Sequence, residues 1–180
     1  GRTGRFFAFE RFGVVPDMIT MGKAITSGHA PLGAVAVNER IAEHFDATPL
    51  VTGLTHNAHP ISLAAGLATL EVMKDEKLVE RAARLDVVLA CRLAALASRH
   101  RIVGDVRSLG LYGVVELVKD RATKEPLEEP VKQLARAALD RGVHLVTRWN
   151  YIYIAPPLCI DEGDLARGLD VVDELIAGLG

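Results

Sequence analysis

Apolar residues recur at different spacings in the two parts of the chain, and Asp75 marks the change. Beyond it, Leu78, Ala82, Leu85, Leu89, Leu93 and Leu96 repeat at steps of three and four. At 3.6 residues per turn that spacing makes one face of an amphipathic helix about five turns long. Two apolar runs, Ile102–Val106 and Leu111–Val118, read as strands. Pro130 opens a second helix with Val131, Leu134, Ala138 and Leu139 on one face, and Gly142 ends it. Val143–Thr147 and Tyr151–Ala155 read as two further strands. Asp161 caps a last helix striped by Leu165, Leu169, Val172, Ile176 and Leu179. Helix, two strands, helix, two strands, helix is the order of an α+β lobe.

Before Asp75 the pattern is shorter and more broken. Gly1–Arg5 is a glycine-rich turn, and Val14–Met21 is an apolar run whose second half reads as a buried strand. Gly22–Gly33 is punctuated by glycine, serine, threonine and proline, which predicts a loop. Gly33–Val37 reads as a second buried strand, and Asn38 as the cap of a short helix through Phe45. Thr48–His59 is polar and irregular. Pro60 suits the first turn of a helix, and Ile61–Met73 follows with almost no polar face. A helix apolar all round is expected in a large core or an oligomer interface.

Composition narrows the function classes. Of 180 residues, 49% are hydrophobic, and the formal net charge is −2 with acidic and basic residues interspersed. That balance speaks against nucleic-acid binding and against a polybasic membrane patch. No apolar run is long enough to span a bilayer. Cys91 and Cys159 are far apart and in no metal-ligand spacing, so reduced thiols in a cytoplasmic protein are the expectation. Four of the five phenylalanines fall within the first twelve positions, which reads as a cut edge inside a larger core.

Three places carry candidate chemistry. Lys23 lies in MGKAITSGHAPLG, after an apolar strand and beside Met21, Ala24, Ile25 and Leu32. Burial among such groups disfavours an ammonium and leaves a nucleophilic amine able to form a Schiff base. On spacing and composition alone, a solvated loop lysine is the better reading. Thr55, in GLTH before Pro60, can clamp a phosphate together with backbone amides at a helix entry; local capping by Thr55 or Asn57 is the better reading by itself. Arg148, with Trp149 as an apolar wall, can grip a carboxylate bidentately, or it can be a hairpin-tip arginine in water. Tyr151 and Tyr153 read as packing residues. His56 and His59 lack a third ligand, so no metal site is expected.

Taken together, Gly1–Gly4, Pro16–Asp17, Thr20, Lys23 and Pro31–Ala34 resemble the signature of the class III aminotransferases: a G-R-T-G turn, P-D-x-x-T-x-x-K, then P-L-G-A. The resemblance covers essentially the whole chain, but only the later part of the family's pattern. It implies an α/β fold: residues 1–75 as part of the large domain of fold type I pyridoxal-phosphate transferases, and 76–180 as a small α+β C-terminal domain. It implies that Lys23 holds pyridoxal 5′-phosphate as a Schiff base. Thr55 would reach the cofactor phosphate of the neighbouring subunit of a homodimer, and Arg148 would hold the carboxylate of an amino or keto acid. The implied reaction is amino transfer between an amine or amino acid and a 2-oxo acid such as pyruvate. Aminomutase, decarboxylase or racemase chemistry, or a non-catalytic lobe making protein contacts, are the rival expectations. Family members carry the acidic partner of the pyridine nitrogen before the G-R-T-G turn, so the chain by itself is expected to be inert.

Overall fold

The structure, a computed structural model, describes residues 1–179. Its contacts divide the chain into two compact units. One comprises Phe9–Lys77, and the other comprises Gly1–Ala8 together with the residues from Leu78 onward.

In Phe9–Lys77, strand β1 (Met18–Met21) pairs antiparallel with β2 (Ala34–Val37), in the register Met18↔Val37 to Met21↔Ala34. A single 3-10 turn, Lys23–Thr26, leaves the end of β1. Two short helices follow β2, α1 (Glu39–Ala42) and α2 (His44–Ala47), and then the long α3 (Pro60–Asp75). Asn38 caps α1 as expected, its Oδ1 accepting the Ile41 N–H at 3.1 Å. Asp17 ties the far end of the hairpin: its carbonyl accepts the Asn38 N–H at 2.9 Å, and its carboxylate accepts from Asn38 Nδ2 at 2.6 Å and from Arg40 at 3.2 Å.

The elements stand where the pattern puts them, but their expected burial is not met within this unit. Among its described residues only Thr26, Ser62 and Gly66 are buried. Val35 is 65% exposed, and Ile61, Leu63, Leu67, Leu70 and Val72 of α3 are open. The reason is geometric. β1 and β2 are apolar on both faces and α3 is apolar all round, yet Phe9–Lys77 contains no second layer to cover them.

The second unit is built as its periodicity predicts. Helix α4 (Leu78–Arg99) leads to β3 (Val103–Ser108) and β4 (Gly113–Leu117). Next come α5 (Glu129–Asp140), β5 (Val146–Arg148), β6 (Tyr151–Ile154) and α6 (Glu162–Ala177). The sheet is antiparallel throughout, in the order β3-β4-β6-β5. All six stripe residues of α4 are buried. Five of them, Ala82 to Leu96, join Val115, Leu117, Ile152 and Ile154 from alternate sheet positions, Val131 and Leu134 of α5, and the buried stripe of α6 in one core. Leu139 is the exception: it is 51% exposed, because it sits about 100° of helix beyond the buried Ala138. α5 ends in a Schellman motif. Gly142, at φ 78°, donates to the Leu139 carbonyl at 2.9 Å, and Val143 donates to that of Ala138 at 2.9 Å. Asp161 caps α6 by accepting the Asp164 N–H at 2.7 Å.

Gly1–Ala8 joins this core through a contact that no hydrophobic pattern announces. The Arg2 carbonyl accepts the Leu111 N–H at 2.8 Å. The Arg2 guanidinium donates to the carbonyls of Leu111 at 3.0 Å and Pro156 at 2.7 Å, and its burial lowers its pKa from the usual value. Gly110, at φ 62°, makes the approach possible: a Cβ there would lie 2.2 Å from the Arg2 carbonyl oxygen.

This contrast in packing has a measurable outcome for the 180-residue chain. Subtilisin is expected to cut first within 9–77 and to leave a resistant piece running from about Leu78 to the end, read by intact mass. Uniform protection of 9–77 in a soluble monomer would contradict it.

Candidate active site

Lys23 opens the 3-10 turn directly after β1. It takes φ 49°, a left-handed conformation that costs a side-chain-bearing residue about 1–3 kcal/mol unless its surroundings enforce it. The surroundings do so through a series of short-range bonds. Ile25 N–H donates to Gly22 at 3.3 Å, Ser27 N–H to Ala24 at 3.1 Å, and His29 N–H to Thr26 at 3.0 Å. The Thr26 hydroxyl closes the loop on the Ala30 carbonyl at 2.5 Å. Ile25 and Thr26 turn inward and Lys23 turns out, so Met21, Ala24, Ile25 and Leu32 do not bury it as the sequence suggested. Its ammonium makes no ion pair among the described residues.

Thr55 lies exposed in the turn Thr55–Ala58, where Asn57 N–H donates to the Leu54 carbonyl at 3.0 Å and Ala58 adopts φ 53°. The turn delivers His59 as the N-cap of α3 and Pro60 as its first residue, and no side chain caps the helix. Neither Thr55 nor Asn57 therefore fills the capping role that was the simpler expectation. The first N–H groups of a sixteen-residue helix remain available beside an exposed hydroxyl, an arrangement suited to an anion. The rings of His56 and His59 lie 6.2 Å apart, and no third possible metal ligand joins them among the described residues.

In the other unit Arg148 ends β5, and Trp149 and Asn150 form the two-residue turn into β6. Trp149 has φ 54° and is 57% exposed. The Arg148 guanidinium stacks on its indole, with Cζ 4.3 Å from the ring centroid. Trp149 is thus first a platform for Arg148. Arg148 has no carboxylate partner among the described residues, and its fork of donors stays open to a planar anion. The anchor of this turn is Asn150, which the sequence reading did not single out. It is buried, its Nδ2 donates to the Leu117 carbonyl at 2.8 Å, and its own carbonyl accepts the Leu117 N–H at 2.8 Å. The only signal in the sequence was an asparagine in a short turn between two apolar strands. Arg148 pairs in register with Tyr151, whose ring also receives the Arg107 guanidinium at 5.9 Å.

Lys23 and Thr55 belong to one unit, both attached to α3, the first through the turn packed on it and the second through the turn that starts it. Arg148 and Trp149 belong to the other and touch each other.

Residues 1–176 match the family described as Aminotransferase class-III. Similar proteins include an uncharacterized aminotransferase, YhxA, of Bacillus subtilis (38% identical, 97% of this chain, 41% of that protein). Others are a taurine–pyruvate aminotransferase of Bilophila wadsworthia (33%, 99% and 41%) and a leucine/methionine racemase of Thermococcus litoralis (36%, 98% and 40%). Among solved structures, a taurine:2-oxoglutarate aminotransferase of Bifidobacterium kashiwanohense, in complex with PLP and glutamate, matches 99% of this chain and 41% of its own. Its TM-score is 0.90 at 30% identity. The chain belongs to the class III aminotransferase family and has the corresponding part of the pyridoxal-phosphate-dependent transaminase fold. It spans about two fifths of the length of the curated relatives it matches.

The turn that carries Arg148 offers a direct check. Asn150→Ala removes a buried side-chain hydrogen bond, worth about 1 kcal/mol. The melting temperature of the Leu78–Leu179 unit should fall by roughly 4–8 °C in a calorimetric scan. An unchanged value would mean that Asn150 is not the anchor.

Proposed function

We propose that the protein containing this chain moves an amino group between an amine or amino acid and a 2-oxo acid such as pyruvate, with pyridoxal 5′-phosphate carried on Lys23. The observation that carries this is the Lys23 amine: exposed, without an ion pair, and held at the head of a pinned turn inside the segment that resembles the family signature.

The residues present fit the cofactor. Lys23 supplies a primary amine for its aldehyde, and Thr55 with the uncapped start of α3 supplies donors for its phosphate. Asp17 is engaged by Asn38 and Arg40, which leaves the pyridine nitrogen to an acid outside this chain's described contacts. Bound pyridoxal phosphate contributes the electron sink for breaking a C–H bond. Lys23 Nζ, freed when a substrate amine takes its place, would accept the proton from the substrate carbon as general base and, as general acid, return it to the carbon on the far side of the shared nitrogen. Arg148 receives the substrate carboxylate through two parallel N–H···O bonds while Trp149 holds its guanidinium flat. Thr55 donates its hydroxyl to phosphate across the interface of a homodimer, and the open apolar surface of α3 supports such an interface.

No helix among the described residues is long and apolar enough to cross a membrane, and Cys91 and Cys159 are free and exposed. The free thiols support a cytoplasmic location. A second reading, racemization of an amino acid, is favoured by the kinship to a leucine/methionine racemase. It uses the same lysine but returns the proton to the carbon it left. Dependence of turnover on an added 2-oxo acid separates the two.

Borohydride reduction of the full-length protein with its cofactor should attach the cofactor to the peptide containing Lys23, and a label on any other lysine would refute the assignment. Thr55→Val should weaken cofactor binding by the worth of one hydrogen bond to a charged group, about 1.5–3 kcal/mol, or roughly 10- to 150-fold in Kd. Equilibrium titration of the cofactor-free protein reads this, and unchanged affinity removes Thr55 from the site.

A further inference from the structure

In Phe9–Lys77 the described residues bury only a threonine, a serine and a glycine, and those three sit where the Lys23 turn meets α3. Thr26 is 1% exposed, although it is a polar residue three positions after an exposed lysine. Ser62 and Gly66 are four apart and therefore share one face of α3. At Gly66 a Cβ would lie 3.0 Å from Leu32 Cδ2 and 3.6 Å from the Ile25 carbonyl oxygen. The helix thus presents a bare backbone position to the turn, and the turn sits against it. Packing of this quality normally accumulates under large apolar side chains. Here it accumulates under one loop, while the leucines and valines of the same unit stay open.

Thr26 adds a second constraint. Its hydroxyl reaches forward to the Ala30 carbonyl at 2.5 Å, and its own carbonyl accepts the His29 N–H at 3.0 Å. The loop after the lysine is therefore closed twice through a single residue. Lys23 and Ser27, on either side of the turn, both take left-handed φ values, 49° and 50°. Side-chain-bearing residues hold such angles only where neighbouring contacts over-determine them, and the Thr26 closure together with the Gly66 seat is the contact set available.

We propose that Thr26 is a positioning residue for the reaction: its hydroxyl, with the turn seated on Gly66 of α3, fixes the direction in which the Lys23 amine leaves the backbone. This rests on the assignment of Lys23 as the cofactor-bearing lysine. A displaced amine that must take a proton from one carbon and return it to another gains from a fixed origin, since misplacement by about 1 Å can cost on the order of a hundredfold in rate. Thr26 touches neither substrate nor cofactor in this account and acts through Lys23.

The test compares Thr26→Val, which keeps the shape and removes the hydroxyl, with Thr26→Ser, which keeps the hydroxyl, in the full-length protein. In the cofactor-free form, trypsin cleavage of the Lys23–Ala24 bond, followed by mass, reports opening of the turn. Loss of one hydrogen bond should speed it about tenfold in Thr26→Val, with Thr26→Ser within about threefold of the parent. In the cofactor-loaded form, Thr26→Val should lower kcat per bound cofactor about tenfold and leave KM for the amine within about twofold, and Thr26→Ser should restore kcat. Faster cleavage with unchanged kcat would overturn the proposal, because the hydroxyl would then stiffen the turn without aiming the amine. No change in either measurement, or a loss that Thr26→Ser does not restore, overturns it as well. Borohydride labelling of the parent protein separates this failure from the larger one. Label on Lys23 with an unaffected Thr26→Val sinks the positioning role alone, whereas label elsewhere sinks the Lys23 assignment and the positioning role with it.

Discussion

The apolar stripe of α4 laid on one face of a four-stranded antiparallel sheet is the interaction on which the Leu78 unit depends. Each fully buried leucine contributes about 1.5–3 kcal/mol relative to exposure, and five of the six stripe residues are leucines. That contact commits alternate positions of the two central strands, β4 and β6. Val115, Leu117, Ile152 and Ile154 turn inward, so Glu116, Tyr151 and Tyr153 turn outward. Arg148, in register with Tyr151, shares their face. The side on which Arg148 emerges is therefore decided by leucines on a helix some fifty residues earlier in the chain.

No such layer exists within Phe9–Lys77, and the difference governs what could be read from the sequence. Periodicity reports the type of an element and which of its faces is apolar, and on that basis β1, β2 and α3 were legible almost to the residue. It does not report whether a covering surface lies within the same stretch of chain. The burial expected for Val35, Leu67 and the rest of α3 is therefore not supplied within Phe9–Lys77, whereas that of Leu89 and Leu93, whose partners lie in β3 to β6, is met within their own unit. The family membership was legible because a composite of short motifs carries more information than any single side chain, and it is that composite which singles out Lys23. Asn150, Thr26 and Arg2 were not legible. Each acts through one or two polar contacts at a definite angle, and neither composition nor period encodes an angle.

Backbone strain accompanies each candidate residue, although Lys77 and Lys124 take left-handed angles as well. Left-handed φ values occur at Lys23, at Ala58 in the turn that begins with Thr55, and at Trp149 beside Arg148. At about 1–3 kcal/mol each they persist only where other contacts hold them. The supports differ in kind: a hydroxyl closure and a glycine seat at Lys23, a proline-led helix at Ala58, and a buried amide at Trp149. The first rests on Gly66 of α3 and the third on Leu117 of β4, so the candidate side chains are aimed by contacts from distant parts of the chain as well as by their neighbours in sequence.

Gly1–Ala8 belongs to the same packing unit as Leu78 onward, although Phe9–Lys77 intervenes. Seen from that unit, Gly1–Ala8 is a docked segment whose anchor is Arg2, and Phe9–Lys77 is an excursion of the chain between its two parts. The free-energy cost of closing a flexible loop grows only with the logarithm of its length, each doubling costing about 0.6 kcal/mol. Over evolutionary time, loops between Phe9 and Lys77 can therefore lengthen or shrink with little penalty to the unit they interrupt. The anchor has no such latitude, since Gly110 admits no side chain against the Arg2 carbonyl.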